Sequence, residues 1–456
     1  MRRFVTIVVV GLIAMGAGLV WMQWDRAPTV IADETSPVIG AAAPVRLSVR
    51  SPGPGLEAVR LTARRGEHTW PLYERLFVRS TWRGSGVNEC VIDTVPNWAG
   101  LGVGDGELEV ELWASTYGWH LWRAEQVLVW QRKIVLDTTP PRLELLTSQH
   151  NVRLGGVELA IWRQSADAVQ SGVEVGEYFF PAVRGFFADA QLTMGLFAIP
   201  QDLDGTAQPR VVAWDHAGNR SQVAIPVVIQ MRRFAERMLN LDDDFLARKV
   251  PEIEAANQLP ATGTLVERYL RINRDLRRQN ETTLRQLASK SQATPHWFGT
   301  FHRQSNTAPL SSFADRRTYV YRGEQIDRQV HLGFDLASIK ASPVEAAQKG
   351  TVVFAGNLGI YGNTVVVDHG LGVFTLYGHL RAIDVKPGDL VERGHQLGLT
   401  GETGLAAGDH LHFSVMLWGV HVDPVEWWDG SWIRKHLLAK IEAFPRASVS
   451  EGQGSP

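Results

Sequence analysis

The sequence predicts a mainly β, multidomain chain: an N-terminal transmembrane helix, two β-sandwiches, a helical connector and a C-terminal antiparallel β domain. Three observations carry that expectation. An almost unbroken apolar run from Phe4 to Met22 is long enough to cross a hydrocarbon core as a helix. Period-two alternation, as in Glu107-Leu-Glu-Val-Glu-Leu112, marks strands with one face in a core and one in water. Helical spacing is clearest in a single stretch, where Leu265, Tyr269, Ile272 and Leu276 recur.

Composition narrows the function classes. At 456 residues the chain is too long for one ordinary core and suggests about three domains. A net charge of -2 offers no basic face to gather phosphates, so nucleic acid is excluded as a partner. Cys90 is the only cysteine, so neither an intrachain disulfide nor a thiolate metal cage can form. Histidine and carboxylate must supply any zinc site. Cys90 itself is expected to be a small buried apolar residue.

Taken in order, residues 1–24 read as an uncleaved anchor. Arg2 and Arg3 precede the apolar run, and Val20-Trp-Met-Gln-Trp24 is bulky where a signal peptidase needs small residues. The arginines hold the start in the cytoplasm, and the acidic Asp25, Asp33 and Glu34 lie beyond the span. The expectation is a single pass through the inner membrane with the bulk of the chain in the periplasm. Residues 25–43, rich in Ala and Pro, form a linker.

The first sandwich covers 44–138 and includes the apolar strand region Gln126 to Leu136, which Asp137-Thr-Thr-Pro-Pro141 ends because proline donates no amide hydrogen. The second covers 139–230 and closes on Val211-Val-Ala-Trp-Asp215-His-Ala-Gly-Asn219, a strand and a tight polar turn. These linker and turn sequences resemble those of immunoglobulin-like domains in bacterial surface proteins, which implies Ig-like spacer sandwiches.

In the connector, 231–294, Thr264-x-x-Glu267 can cap the helix start by bonding its unpaired first amides. Arg268, Arg271, Arg274, Arg277 and Arg278 read as a solvated helix face. From 295 to 440, short apolar segments such as Gly350-Thr-Val-Val-Phe354 and Asn363-Thr-Val-Val-Val367 alternate with glycine turns, as in an antiparallel sheet. Residues 441–456 read as a disordered tail.

Chemistry concentrates between His331 and His412. His410 and His412 lie two apart on one strand and project to the same face. His331 and Asp335, four apart, also share a face, and Gly333 lets the chain pass close to an ion. Hydrolytic zinc needs three protein ligands and an open position. With His379, five residues are available for three ligands and two further groups.

His331-x-Gly-x-Asp335, Tyr377-Gly-His379-Leu and His410-Leu-His412 resemble, in order and spacing, the motifs of the lysostaphin/LytM-type zinc metallopeptidases, which cut peptide bonds in peptidoglycan. The resemblance covers about Asp315 to Trp428. It implies that His331, Asp335 and His412 bind one Zn2+ per chain and that His379 and His410 are the catalytic pair. It implies a zinc metalloendopeptidase acting on peptidoglycan peptides, and the N-terminal helix is expected to hold it at the inner membrane. No motif identifies a protein partner.

Tyr377 could donate to the same oxyanion or simply pack. Upstream residues can block the open zinc position in relatives of this family, a role open here to His302 or Asn306. His369, His395 and His421 are expected at turns or on the surface. The alternative function is a non-catalytic wall-binding or hydrolase-activating protein on the same fold. A carrier domain is a further rival, because Val344 to Gly350 and Val385 to Gly394 resemble biotinyl and lipoyl hairpins. Lys340, Lys349 and Lys386 lack the setting of a modified lysine, and a carrier gives no reason for His331 and Asp335.

Overall fold

The computed structural model describes residues 28–32, 36–51, 55–80, 84–117 and 126–447. The expected anchor helix and residues 448–456 of the tail lie outside the described residues. Among the described residues, no helix is long and apolar enough to cross a membrane. The chain divides into two compact units, Met1–Pro141 with Asp167–Val169 and Trp214–Ser221, and Arg142–Ala166 with Gln170–Ala213 and Gln222–Pro456.

In the first unit, a five-stranded sheet runs in the order Val38–Ile39, Val127–Leu136, Gly106–Thr116, Leu56–Arg65, His68–Leu76. A three-stranded sheet of Thr29–Ala32, Val45–Arg50 and Glu89–Thr94 shares its apolar core, which includes Val49, Leu61, Ile92 and Leu112. The alternation from Glu107 to Leu112 does what its period requires. Leu108, Val110 and Leu112 are buried, while Glu111 meets Arg64 across the ladder at 2.6 Å. Cys90 is buried in this core.

The second unit begins with a four-stranded sheet built around Val157–Gln164 and Leu192–Ala198; a further four-stranded sheet is built around Ala168–Val175 and Arg210–Asp215, most of whose residues fall in this unit. The stretch expected to be a helical connector opens with a strand, Glu236–Leu241, paired in parallel with Arg316–Tyr321. That pairing is stabilised by a distant segment, so nothing local announces it. The helices Asp243–Asn257 and Leu265–Leu270 follow, then a π-helical turn, Arg271–Leu276, and the helix Arg277–Ala288. Thr264 and Glu267 form the reciprocal cap: the Glu267 carboxylate accepts the Thr264 amide at 2.7 Å, and Thr264 Oγ accepts the Glu267 amide. The buried face, Tyr269, Ile272 and Leu276, packs with Val366, Phe374, Leu376 and Met416 of the C-terminal sheet.

That sheet is antiparallel in the order Ala308–Ser311, Phe334–Ala337, Leu411–Leu417, Val373–Leu380, Asn363–Asp368, Gly350–Asn357, Leu390–Val391, with Val420–Val422 pairing beside Leu411–Leu417. Its inner residues, including Leu411, Val415 and Leu417, belong to one apolar core with Val157, Ile161 and Phe197 of the preceding sheets. The changes of sequence period near 231 and 295 therefore do not separate two cores. Polar contacts run across the same junction. Glu158 receives His436 at 2.7 Å and Lys440 at 2.8 Å, and the Ala188 and Ala447 amides bond the carbonyls of Pro445 and Phe186. Residues 441–447, expected to be disordered, are held by these bonds and by the helix Ala439–Glu442.

Glu426 lies in this junction, where its carboxylate accepts the Val157 amide at 2.9 Å. Gly156 makes room for it, since a Cβ there would overlap the carboxylate oxygens. Burial pushes the Glu426 carboxyl up to about 8. A raised acid favours the folded state fully below its unfolded value near 4.5, and that contribution is lost as pH rises through about 8. Glu426→Gln, which stays neutral and keeps an acceptor for Val157, is expected to gain on the wild type by on the order of 3 kcal/mol at pH 9 and by little at pH 5. Urea unfolding at the two pH values measures this, and an equal effect at both would contradict it.

Candidate metal centre

Register brings the ligands together. Asp335 lies directly opposite His412 on the neighbouring strand, and Gly378 lies opposite His412 on the other side. His331 enters from the turn before Phe334–Ala337. The result is a buried cluster of His331, Asp335 and His412 whose ligand atoms all lie within 4.8 Å of one another. His331 Nε2 is 3.0 Å from Asp335 Oδ1 and 3.0 Å from His412 Nδ1, and His412 Nδ1 is 2.9 Å from Asp335 Oδ1.

The outer partners decide what those atoms are. His331 Nδ1 is 2.9 Å from the Ser312 carbonyl, which can only accept, so Nδ1 carries the proton and Nε2 a lone pair. His412 Nε2 is 3.0 Å from Ser414 Oγ, and that hydroxyl donates to the Leu332 carbonyl at 2.8 Å, so Nε2 carries the proton and Nδ1 a lone pair. Three lone pairs thus converge from two neutral imidazoles and a carboxylate, an arrangement that repels itself unless a cation sits among them. The donor set fits one Zn2+, and the outer hydrogen bonds orient its ligands. Ser414→Ala is expected to weaken zinc binding roughly 10–100-fold by releasing the His412 ring. Competition with a chromogenic chelator reads this, and unchanged affinity would show the bond to be dispensable.

The carboxylate is held on its far side too. Arg317 bonds Asp335 Oδ2 at 3.0 Å and Ser311 Oγ at 2.9 Å, and Asp315 bonds Ser311 Oγ at 2.6 Å and Arg237 at 2.9 Å.

His379 and His410 complete the site. Their ring centroids are 4.9 Å apart, and the His379 ring is 5.7 Å from that of His412. Each bonds a backbone carbonyl through Nδ1 at 2.8 Å, His379 to Thr403 and His410 to Gly408, which leaves each Nε2 unprotonated in the neutral ring. His379 adopts a left-handed backbone at φ +64°, a conformation that a side chain makes costly and that a functional position retains. Burial drives the His379 imidazole well below its ordinary value. For His410 burial acts in the same sense and is the largest single influence, but the hydrogen bonding and charge of the Asp335 carboxylate, together with the Gly408 carbonyl, outweigh it and the pKa is raised.

All five residues line one cavity of about 720 Å³, together with Arg317, Tyr319, Tyr269, Arg277 and the Glu236–Leu241 strand. Tyr377 is not among the lining residues. Its hydroxyl accepts the Ala347 amide at 2.7 Å and meets Thr375 Oγ at 2.9 Å, so it packs. His302 bonds Glu345 at 2.9 Å, and neither it nor Asn306 lines the cavity. His369 and His421, expected at turns or on the surface, are buried. His369 sits between the Lys349 carbonyl and Thr375, and His421 meets Glu281 at 3.0 Å. Ser414 could have been found from the strand period, being two residues after His412. Arg317 could not, because its place depends on a strand pairing with no local signal.

Residues 329–424 match the model of peptidase family M23. Over 97 residues the chain is 40% identical to the DD-carboxypeptidase/endopeptidase Mpg of Neisseria meningitidis, covering 21% of this chain and 22% of that protein. It is 40% identical over 96 residues to the peptidoglycan DD-endopeptidase ShyA of Vibrio cholerae, with 21% and 22% covered. The match thus spans about a fifth of the length of either relative. The crystallised catalytic domain of lysostaphin from Staphylococcus simulans is 28% identical, with 27% of this chain and 92% of that chain covered and a TM-score of 0.24.

Proposed function

We propose that the M23 peptidase domain at the C-terminus makes this chain a zinc-dependent endopeptidase that hydrolyses peptide bonds in the stem or cross-link peptides of peptidoglycan. The observation that carries this reading is the convergence of three lone-pair ligand atoms beside two further inward-facing imidazoles in one cavity. His331, Asp335 and His412 would hold the ion, which when bound acidifies water and stabilises negative charge on a carbonyl oxygen. The Nε2 atoms of His379 and His410 take the proton from the attacking water, hydrogen-bond the developing oxyanion, and return a proton to the leaving amine. The backbone carbonyls of Thr403 and Gly408 fix both rings for that work.

The apolar run at 4–22 supports an inner-membrane anchor with the remaining chain in the periplasm, where peptidoglycan lies. The sheets between 44 and 230 support Ig-like sandwiches, the second built onto the peptidase domain. The test is mass spectrometry of products released from purified peptidoglycan by the zinc-loaded full chain, with His379→Ala as the control. Release of cross-link peptides that chelator and His379→Ala both abolish is expected. Binding to peptidoglycan without any cleavage would transfer the protein to the non-catalytic class.

A further inference from the structure

The five arginines between Arg268 and Arg278 do not behave alike. Arg268 and Arg271 pair with Glu254, Arg274 with Asp327 and Arg278 with Asp275. Arg277, half-buried, makes no ion pair among the described residues, and it alone of the five lines the cavity that holds the metal cluster. Its guanidinium bonds only neutral groups, the Asn273 carbonyl at 3.1 Å and Asn273 Oδ1 at 2.8 Å. Asn273, fully buried, is in turn fixed by donating to Asp327 at 2.8 Å. The cation is therefore aimed while its remaining N–H groups have no protein partner among the described residues.

A second orphan lines the same cavity. Tyr269 lies four residues before Asn273, and its buried hydroxyl has no hydrogen-bond partner among the described residues. Burial raises the Tyr269 pKa, which keeps the hydroxyl a neutral donor, and the charge of Arg277 acts on it. Between Tyr269 and Arg277 lies the π-helical turn Arg271–Leu276, an irregularity of the kind found at functional positions. Glu281, one turn on, does not neutralise the arginine by contact, because its two oxygens are taken by Tyr361 at 2.7 Å and His421 at 3.0 Å. The other cavity arginines are accounted for: Arg237 pairs with Asp315, Arg317 with Asp335, and Arg248 is exposed. On the acidic side, Asp242 caps the Phe245 amide and Asp244 is exposed.

We infer that Arg277 and the Tyr269 hydroxyl form a subsite for a carboxylate of the bound peptide, contributed by helices outside the segment that matches the peptidase family. This rests on the endopeptidase reading and adds a determinant of which peptides are accepted. A planar guanidinium with free donors matches the fork of a carboxylate and its charge, whereas a carboxamide offers the cation one acceptor oxygen, carries no charge and turns an N–H group toward it. Lysine, a point charge, reproduces part of this.

The experiment uses the zinc-loaded full chain and a pair of synthetic cross-linked peptides that differ only by a free carboxylate against its carboxamide. Binding is measured by calorimetry and cleavage by chromatography. The carboxylate peptide is expected to bind and react about 10-fold or more better. Arg277→Gln should bring the ratio close to one, Tyr269→Phe should lower it, and Arg277→Lys should retain part of it, all with unchanged zinc content. Arg248→Gln should leave the ratio as it is. Equal handling of the two peptides by the wild type, or an equal loss of preference with Arg248→Gln, would overturn the subsite. Preferential binding of the carboxylate peptide that Arg277→Gln removes, without any cleavage, would uphold it while sinking the endopeptidase reading.

Discussion

Gly333→Ala is expected to abolish stoichiometric zinc binding and, with it, peptide hydrolysis. A methyl group at this position would overlap Cε1 and Nε2 of the His412 ring and crowd Ser414 Oγ. The ring cannot retreat without giving up either its bond to Ser414 at 3.0 Å or its place opposite Asp335. The backbone cannot retreat easily either, since the adjacent Phe334 pairs with Phe413 in the same ladder. Overpacking of this kind costs roughly 1–3 kcal/mol in stability, and here the strain falls on a ligand. Metal analysis after dialysis and circular dichroism would together read the outcome. A folded Gly333→Ala protein with one zinc per chain would show that the close approach is not required.

Removal of the metal should have the second large effect, on stability as well as activity. An ion bound only by the folded chain stabilises it by about 4 kcal/mol when its free concentration is a thousand times the dissociation constant. Its loss also leaves three buried lone pairs facing one another at 2.9–3.0 Å. Chelation is therefore expected to lower the melting temperature by several degrees and to reduce hydrolysis to background, with both restored by zinc. His412→Ala should show the low melting temperature from the outset and respond to neither chelator nor zinc. A chelator that stops hydrolysis without moving the melting curve would mean that the cluster is not the site from which the activity-supporting ion is drawn.

The pair of predictions shows how unevenly the site was legible. Gly333 could be picked out as a position of close approach because it separates His331 from Asp335, but its neighbour proved to be the His412 ring, which lies some eighty residues along the chain. The same holds for Tyr377. Its spacing from His379 is that of one strand face, yet His379 turns into the left-handed region and the two side chains part, one into the cavity and one into the core. Periodicity describes an uninterrupted strand and is silent about such a break.

By itself the sequence determined the residue types and spacings of the metal cluster, the β character of most of the chain, and the capped helix at Thr264. These follow from local rules: alternation, capping chemistry, and the few side chains able to hold zinc. Only the tertiary structure decided that the second set of sheets shares a core with the peptidase domain, that Glu236–Leu241 is a strand, that Arg317 braces Asp335, and that one arginine of five turns into the cavity. Each of these depends on partners brought together by folding, and a contact between distant segments leaves no periodic trace in either of them.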